Sequence, residues 1–149
     1  MMASAISPAA GYSGRSLPEK LGFRPGMAVA FVSLPAGLEG LLDSVPFGRV
    51  LRAESWAEPL GPERSLDAVH AFTTSRAEVD RDLARLQDAI RRDGMIWVSW
   101  PKKASKVETD VTEDVVRDAA LRLDLVDIKV AAVDAVWSGL KLMVRKDRR

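Results

Sequence analysis

At 149 residues, with 47% hydrophobic and 29% charged side chains, the chain suits one globular domain with its own core, and a net charge of +1 supplies no global field to steer nucleic acid or a membrane surface. The lack of cysteine excludes disulfides, thiol nucleophiles and thiolate-ligated metal, and a lone histidine, His70, excludes a histidine-rich metal site. No apolar run approaches the ~18 residues that span a bilayer, and the first residues carry neither a basic nor an apolar leader pattern, so the expected location is the cytoplasm.

Residues 1–15, mostly Ala, Ser, Gly and Pro with Tyr12 among them, read as a mobile tail ahead of a single α/β domain over residues 16–149. Ser16 can cap a short helix, Pro18 suits its first turn and Gly22 stops it. After the turn Phe23-Arg24-Pro25-Gly26, residues 27–34 are almost all apolar, as in a parallel strand covered on both faces. Pro35-Ala36-Gly37 then opens a helix whose stripe is Leu38, Leu41, Leu42 and Val45. Residues 49–54 are a weaker second strand, and residues 56–65, with Pro59, Gly61 and Pro62, are a loop.

Residues 66–73 form a third strand, with His70 inside it. Ser75 and Glu78 have capping-box spacing, ahead of a helix whose buried stripe is Val79, Leu83, Leu86 and Ile90. Asp93-Gly94 turns the chain into a central strand, which ends in Trp100-Pro101-Lys102-Lys103-Ala104-Ser105. Asp110 and Glu113 offer a second box, with Thr112 a competing cap, before a helix lined by Val111, Val115, Val116, Ala119 and Leu123. Residues 126–133 are a fifth strand. After a short turn, Leu140, Leu142 and Val144 alternate with Lys141, Met143 and Arg145, a last strand with one wetter face that pairs antiparallel. Strands alternating with helices predict a three-layer α/β sandwich around a mainly parallel sheet of about six strands.

This order of elements resembles the methyltransferase variant of the Rossmann fold, shortened by one strand, over residues 17–146. The resemblance implies a sheet order of 2-1-3-4-6-5, with strand 6 antiparallel. The words Gly94-Met95-Ile96-Trp97-Val98, Pro101-Lys102-Lys103 and Val136-Trp137-Ser138-Gly139-Leu140-Lys141 resemble a bacterial family of small proteins of unknown function, which implies a methyltransferase-like shell without an assigned activity.

The turn Ser33-Leu34-Pro35-Ala36-Gly37-Leu38-Glu39 departs from that shell. It has a proline and a single glycine where close backbone approach to S-adenosylmethionine needs several. Glu54 stands where a ribose-binding acid would, following Gly37 at about the dinucleotide-site spacing. No cofactor is therefore expected and S-adenosylmethionine is read as unlikely; were one held, Gly37 and Glu54 would hold it.

Ligands in open α/β sheets sit beyond the carboxyl ends of the strands. The turn after strand 1, Thr73 to Arg76 and Trp100 to Ser105 are expected to converge there, and they carry Thr73, Arg76, Trp100, Lys102, Lys103 and Ser105, a cationic and hydroxylated group with Trp100 as an apolar wall. That chemistry suits a small anionic ligand or an acidic protein surface. Arg91-Arg92 and the basic tail have no interleaved aromatics, which argues against nucleic acid. His70 reads as a core residue rather than a general base, and Trp137 as an aromatic anchor of the final hairpin. The reading is a non-enzymatic Rossmann-like module binding a partner or small anion. The alternative is a small S-adenosylmethionine- or nucleotide-dependent transferase with a divergent cofactor loop.

Overall fold

A computed structural model describes residues 15–149; the predicted tail with Tyr12 lies outside the described residues. The strands are β1 (Ala28–Val32), β2 (Arg49–Ala53), β3 (Leu66–Phe72), β4 (Ile90–Pro101), β5 (Leu125–Ala132) and β6 (Trp137–Val144). They form one sheet in the order β2-β1-β3-β4-β6-β5. β1, β2, β3 and β4 pair parallel, and β6 runs antiparallel to both β4 and β5. The expected order and the antiparallel last strand are both observed.

Strand alternation sorts the apolar residues onto two faces. On one face Val69, Ala71, Ile96, Val98, Leu140 and Leu142 pack under α2 (Arg76–Ala89) and α3 (Glu113–Leu121), which bury Val79, Leu83, Leu86, Val116 and Ala119. On the other, Val29, Phe31, Ala68, Phe72, Met95 and Trp97 meet Leu17 and Leu21 of α1 (Leu17–Leu21), with Leu38 and Leu41. Ser16 and Glu19 close a reciprocal capping box on α1, and Gly22 ends it at φ 81°, a left-handed step that glycine takes without Cβ strain. The Trp97 indole N–H donates to the Leu21 carbonyl at 2.8 Å and pins α1 to the sheet. No helix among the described residues is long and apolar enough to cross a membrane.

Two local expectations are corrected. Of the stripe at 38–45, Leu38, Leu41 and Leu42 lie on a 3-10 segment, Ala36–Asp43, interrupted at Leu38 by non-helical dihedrals, and Val45 lies beyond its end. Gly37 and Gly40 each cost an α-helix about 1 kcal/mol, and so short a segment between Pro35 and Pro46 cannot repay nucleation. Likewise β4 begins at Ile90, directly after α2, and not at Gly94. Gly94 lies inside the strand, where the register with β3 slips. A Cβ there would stand 2.9 Å from the Asp67 carbonyl oxygen, so the glycine permits close strand approach rather than a turn.

Leu83 is 1% exposed at the centre of the α2 face. Leu83→Ala is expected to destabilise by about 2–5 kcal/mol, read as a lowered urea midpoint at unchanged slope. An unshifted midpoint would remove Leu83 from the core.

Candidate functional site

A cleft of about 230 Å³ opens at the carboxyl edge of the sheet, lined by Ser33, Phe72, Thr73, Thr74, Glu78 and Trp137. Ser33 follows β1 in the left-handed region at φ 56°, uncommon for a side-chain-bearing residue. Its N–H donates to the Ala53 carbonyl at 2.9 Å and its Oγ to the Glu54 carbonyl at 3.2 Å, which ties the ends of β1 and β2 together. Phe72 ends β3. Its ring stacks on His70 at 4.2 Å and meets the Trp137 ring edge-to-face at 5.3 Å. Trp137 opens β6, half-buried, with its backbone N–H donating to Asp134 Oδ1 at 2.7 Å.

The β3–α2 junction is a variant of the expected capping box. Ser75 Oγ accepts the Glu78 N–H at 3.2 Å, but the Glu78 carboxylate does not return to the Ser75 N–H. Thr73 intervenes: its Oγ1 accepts the Ser75 N–H at 3.0 Å and donates to Glu78 Oε1 at 2.6 Å. Glu78 is thereby held against the cleft, and the Thr73 hydroxyl is engaged rather than free.

Of the sequence-predicted residues, only Thr73 lines this cleft. Arg76 opens α2 on the outer surface, with its guanidinium 59% exposed and 3.6 Å from Asp80. Trp100 is 7% exposed and packs on the α2–α3 face, since alternation puts it with Val98 and opposite Trp97; it is core and not a wall of the cleft. Lys103–Ser105 is a 3-10 turn. Ser105 Oγ closes it by donating to the Lys102 carbonyl at 2.6 Å and accepting the Val107 N–H at 3.2 Å. Lys102 and Lys103 do not line the cleft. Gly37 is exposed, with no atom within 4 Å of the place its Cβ would take. Glu54 is 78% exposed, and its carboxylate lies 3.6 Å from Arg52 Nε, while Arg52 pairs with Glu39 at 2.8 Å.

Ser33 and Thr74 lie on two of the loops expected to converge here, the turn after β1 and residues 73–76, without being singled out as ligand groups; Phe72, Glu78 and Trp137 were not foreseen as a site. The signal for Trp137 was topological: an antiparallel strand starts at the edge where its parallel neighbours end. Glu78 was masked by its capping spacing.

His70 is fully buried, with Nε2 2.8 Å from Ser99 Oγ and Nδ1 without a hydrogen-bond partner. The rings of Phe23, Phe31, Phe72 and Trp97 surround it. Burial pushes its pKa from 6.5 down to about 3, because the imidazolium would lose its hydration with no carboxylate in exchange.

No family model and no curated protein matches the sequence. The fold is shared with solved S-adenosylmethionine-dependent methyltransferases. A 1,6-didemethyltoxoflavin-N1-methyltransferase from Burkholderia thailandensis, with 1,6-didemethyltoxoflavin and S-adenosylhomocysteine bound, is 14% identical with a TM-score of 0.62, over 96% of this chain and 79% of its own. A SAM-dependent methyltransferase from Aquifex aeolicus is 18% identical with a TM-score of 0.54, over 97% and 100%. The [4+2]-cyclase SpnF is 10% identical with a TM-score of 0.62, over 87% and 79%. At such identities the likeness is one of fold, and the cyclase shows that proteins of this fold are not confined to methyl transfer.

These neighbours overturn the expectation of no cofactor and of S-adenosylmethionine as unlikely: the sheet is shared with solved structures of S-adenosylmethionine-dependent methyltransferases, one of them holding S-adenosylhomocysteine. The expectation rested on too few glycines in the turn after β1. Ser33 takes the left-handed step without glycine, and Gly37 leaves its backbone open, so the turn does not bar close approach.

His70 gives stability a pH dependence of definite sign. The folded pKa is depressed, so His70 imposes no penalty above about 6.5. Stability is then lost as pH falls toward about 3, by at most about 1.4 kcal/mol per pH unit. Relative to His70→Phe, the wild type is expected to lose on the order of 2 kcal/mol of unfolding free energy between about pH 7 and about pH 5. Parallel pH profiles for the two proteins would mean that His70 binds its proton equally well in the folded and unfolded chain, against its burial.

Proposed function

We propose that the chain is a small S-adenosylmethionine-dependent transferase that holds its cofactor across the carboxyl ends of β1 and β2 with a divergent loop. The observation that carries this reading is the union of Ser33 with Glu54. The Ser33 hydroxyl donates to the Glu54 main-chain carbonyl, which ties the backbone of Glu54, with its exposed carboxylate, to the turn that leads to the open backbone of Gly37. A carboxylate at the end of the second strand accepts hydrogen bonds from ribose hydroxyls in nucleotide-binding α/β folds, and Gly37 admits close approach of the ligand. The bound cofactor supplies a methyl group activated on a sulfonium. The chain's part is to bind and orient it beside the cleft. The methyltransferase-like sheet supports the reading.

Calorimetric titration with S-adenosylhomocysteine tests it. Binding is expected in the wild type, and Glu54→Ala, at an exposed position, should weaken it by about 1.5–3 kcal/mol, as loss of charge-assisted hydrogen bonds does. No heat of binding with either S-adenosyl compound would sink the transferase reading.

A second reading, capture of an acidic surface or small anion, is favoured by one observation. Lys102, Lys103 and Lys106 crowd one surface turn, and none of them forms an ion pair among the described residues. The double reversal Lys102→Glu with Lys103→Glu is expected to leave stability within about 0.5 kcal/mol and to abolish retention on an acidic affinity matrix. Unchanged retention would reduce the lysines to solvation.

A further inference from the structure

The cleft itself has the opposite charge from the lysine turn beside it. Its lining holds one ionisable side chain, Glu78, and no lysine or arginine. One Glu78 oxygen accepts the Thr73 hydroxyl at 2.6 Å, while Glu78 forms no ion pair among the described residues. Facing the same space are the rings of Phe72 and Trp137, set perpendicular to one another. One face of Phe72 is covered by His70, so Trp137, half-buried, is the ring with π-surface to offer. Ser33, Thr73 and Thr74 complete the lining with small polar groups. A fixed carboxylate and an indole around a small cavity form a site for positive charge: the ring quadrupole attracts a cation by about 0.5–2 kcal/mol, and the carboxylate adds a Coulomb term that a neutral ligand does not receive.

We infer that this cleft binds a small organic cation, an ammonium or a sulfonium, between Trp137 and Glu78. The site stands on its own geometry and rests on the transferase reading only for the origin of the cation, which is either the sulfonium of S-adenosylmethionine or a protonated amine brought as second substrate. Glu78 also lies in the first turn of α2, where a carboxylate complements the helix dipole. That role alone would give no ligand response, and the cleft lining is what sets the two apart.

The test uses the full chain labelled with 15N and follows the Trp137 indole N–H, assigned by its disappearance in Trp137→Phe. Trp137 is the half-buried member of four tryptophans, the others being buried. Tetramethylammonium chloride is the probe, with tert-butanol as its neutral isostere and sodium chloride for ionic strength. A saturable shift with tetramethylammonium alone is expected, weakened about tenfold in Glu78→Gln, whose urea midpoint reports whether it folds. Should that variant unfold, calorimetry on Trp137→Leu replaces it, with loss of tetramethylammonium binding expected. Equal response to tert-butanol, or no saturable shift, overturns the inference.

Repeating the titration on protein saturated with S-adenosylhomocysteine separates the two sources. A surviving shift assigns the cleft to a second, amine-bearing substrate. A blocked shift, with a preference for S-adenosylmethionine over S-adenosylhomocysteine that Glu78→Gln abolishes, assigns it to the sulfonium. If neither S-adenosyl compound binds while the tetramethylammonium shift persists, the transferase reading falls and the cation site stands.

Discussion

The antiparallel insertion of β6 between β4 and β5 is the constraint on which the carboxyl edge depends. A strand that runs against its parallel neighbours must begin where they end. Pairing of Trp137 with Pro101, the last residue of β4, therefore brings an aromatic residue from far along the chain to the edge where β1 and β3 release their loops. Had β6 run parallel, Trp137 would lie at the opposite edge, and Phe72 would face solvent instead of an indole. The hairpin from β5 to β6 is held for this purpose by Asp134, whose Oδ1 accepts both the Val136 and the Trp137 N–H, the local side-chain bonding that makes aspartate a turn residue.

The same pairing makes room for the buried histidine. Ser99 lies opposite Gly139, and a Cβ on that glycine would come within 2.9 Å of Ser99 Oγ. Only the missing side chain leaves the hydroxyl free to reach His70 Nε2. Desolvation then wins over basicity. With aromatic rings around it and no acid in contact, the imidazole stays neutral through the physiological range. It serves the fold by stacking on Phe72, which fixes the ring that lines the cleft. His70, read from the sequence as a core residue, thus acts one layer behind the site, through packing.

The sheet was legible because its central strands are unbroken apolar runs, and such runs are buried on both faces only in a parallel sheet under two helical layers. Helix starts were legible at Ser16 and Ser75, because capping is local chemistry; the third was divided between an Asp110–Glu113 box and Thr112, and Thr112 is the cap, while Asp110 Oδ1 accepts the Arg76 N–H. The site was less so. Trp100 and Trp137 look alike in sequence, each next to a turn; the first is core because it shares a face with Val98, the second borders a cleft because its strand is reversed. Neither fact is local. Thr73 was legible as a position but not in its role, since its hydroxyl is consumed between Ser75 and Glu78.

That consumption decides the charge of the edge. The N-terminus of α2 would be a natural anion site, yet the chain fills it from within: Ser75 Oγ takes the Glu78 N–H, Thr73 takes the Ser75 N–H, and Asp110 Oδ1 takes the Arg76 N–H at 2.7 Å. Asp110 is itself positioned by the segment before α3, where Thr109 Oγ1 donates to the Thr74 carbonyl at 2.8 Å. With these donors satisfied by the protein's own oxygens, an incoming anion finds no free N–H among them and one carboxylate to repel it. The acceptor capacity left over, on Glu78, shares the cleft with a half-buried tryptophan, Trp137. The cationic residues that the sequence places on these loops, Arg76 and the lysines of the 3-10 turn, are turned to the outer surface. One edge of the sheet thus presents two electrostatic characters a short distance apart, and the Thr73–Glu78 hydrogen bond sets the character of the inner one.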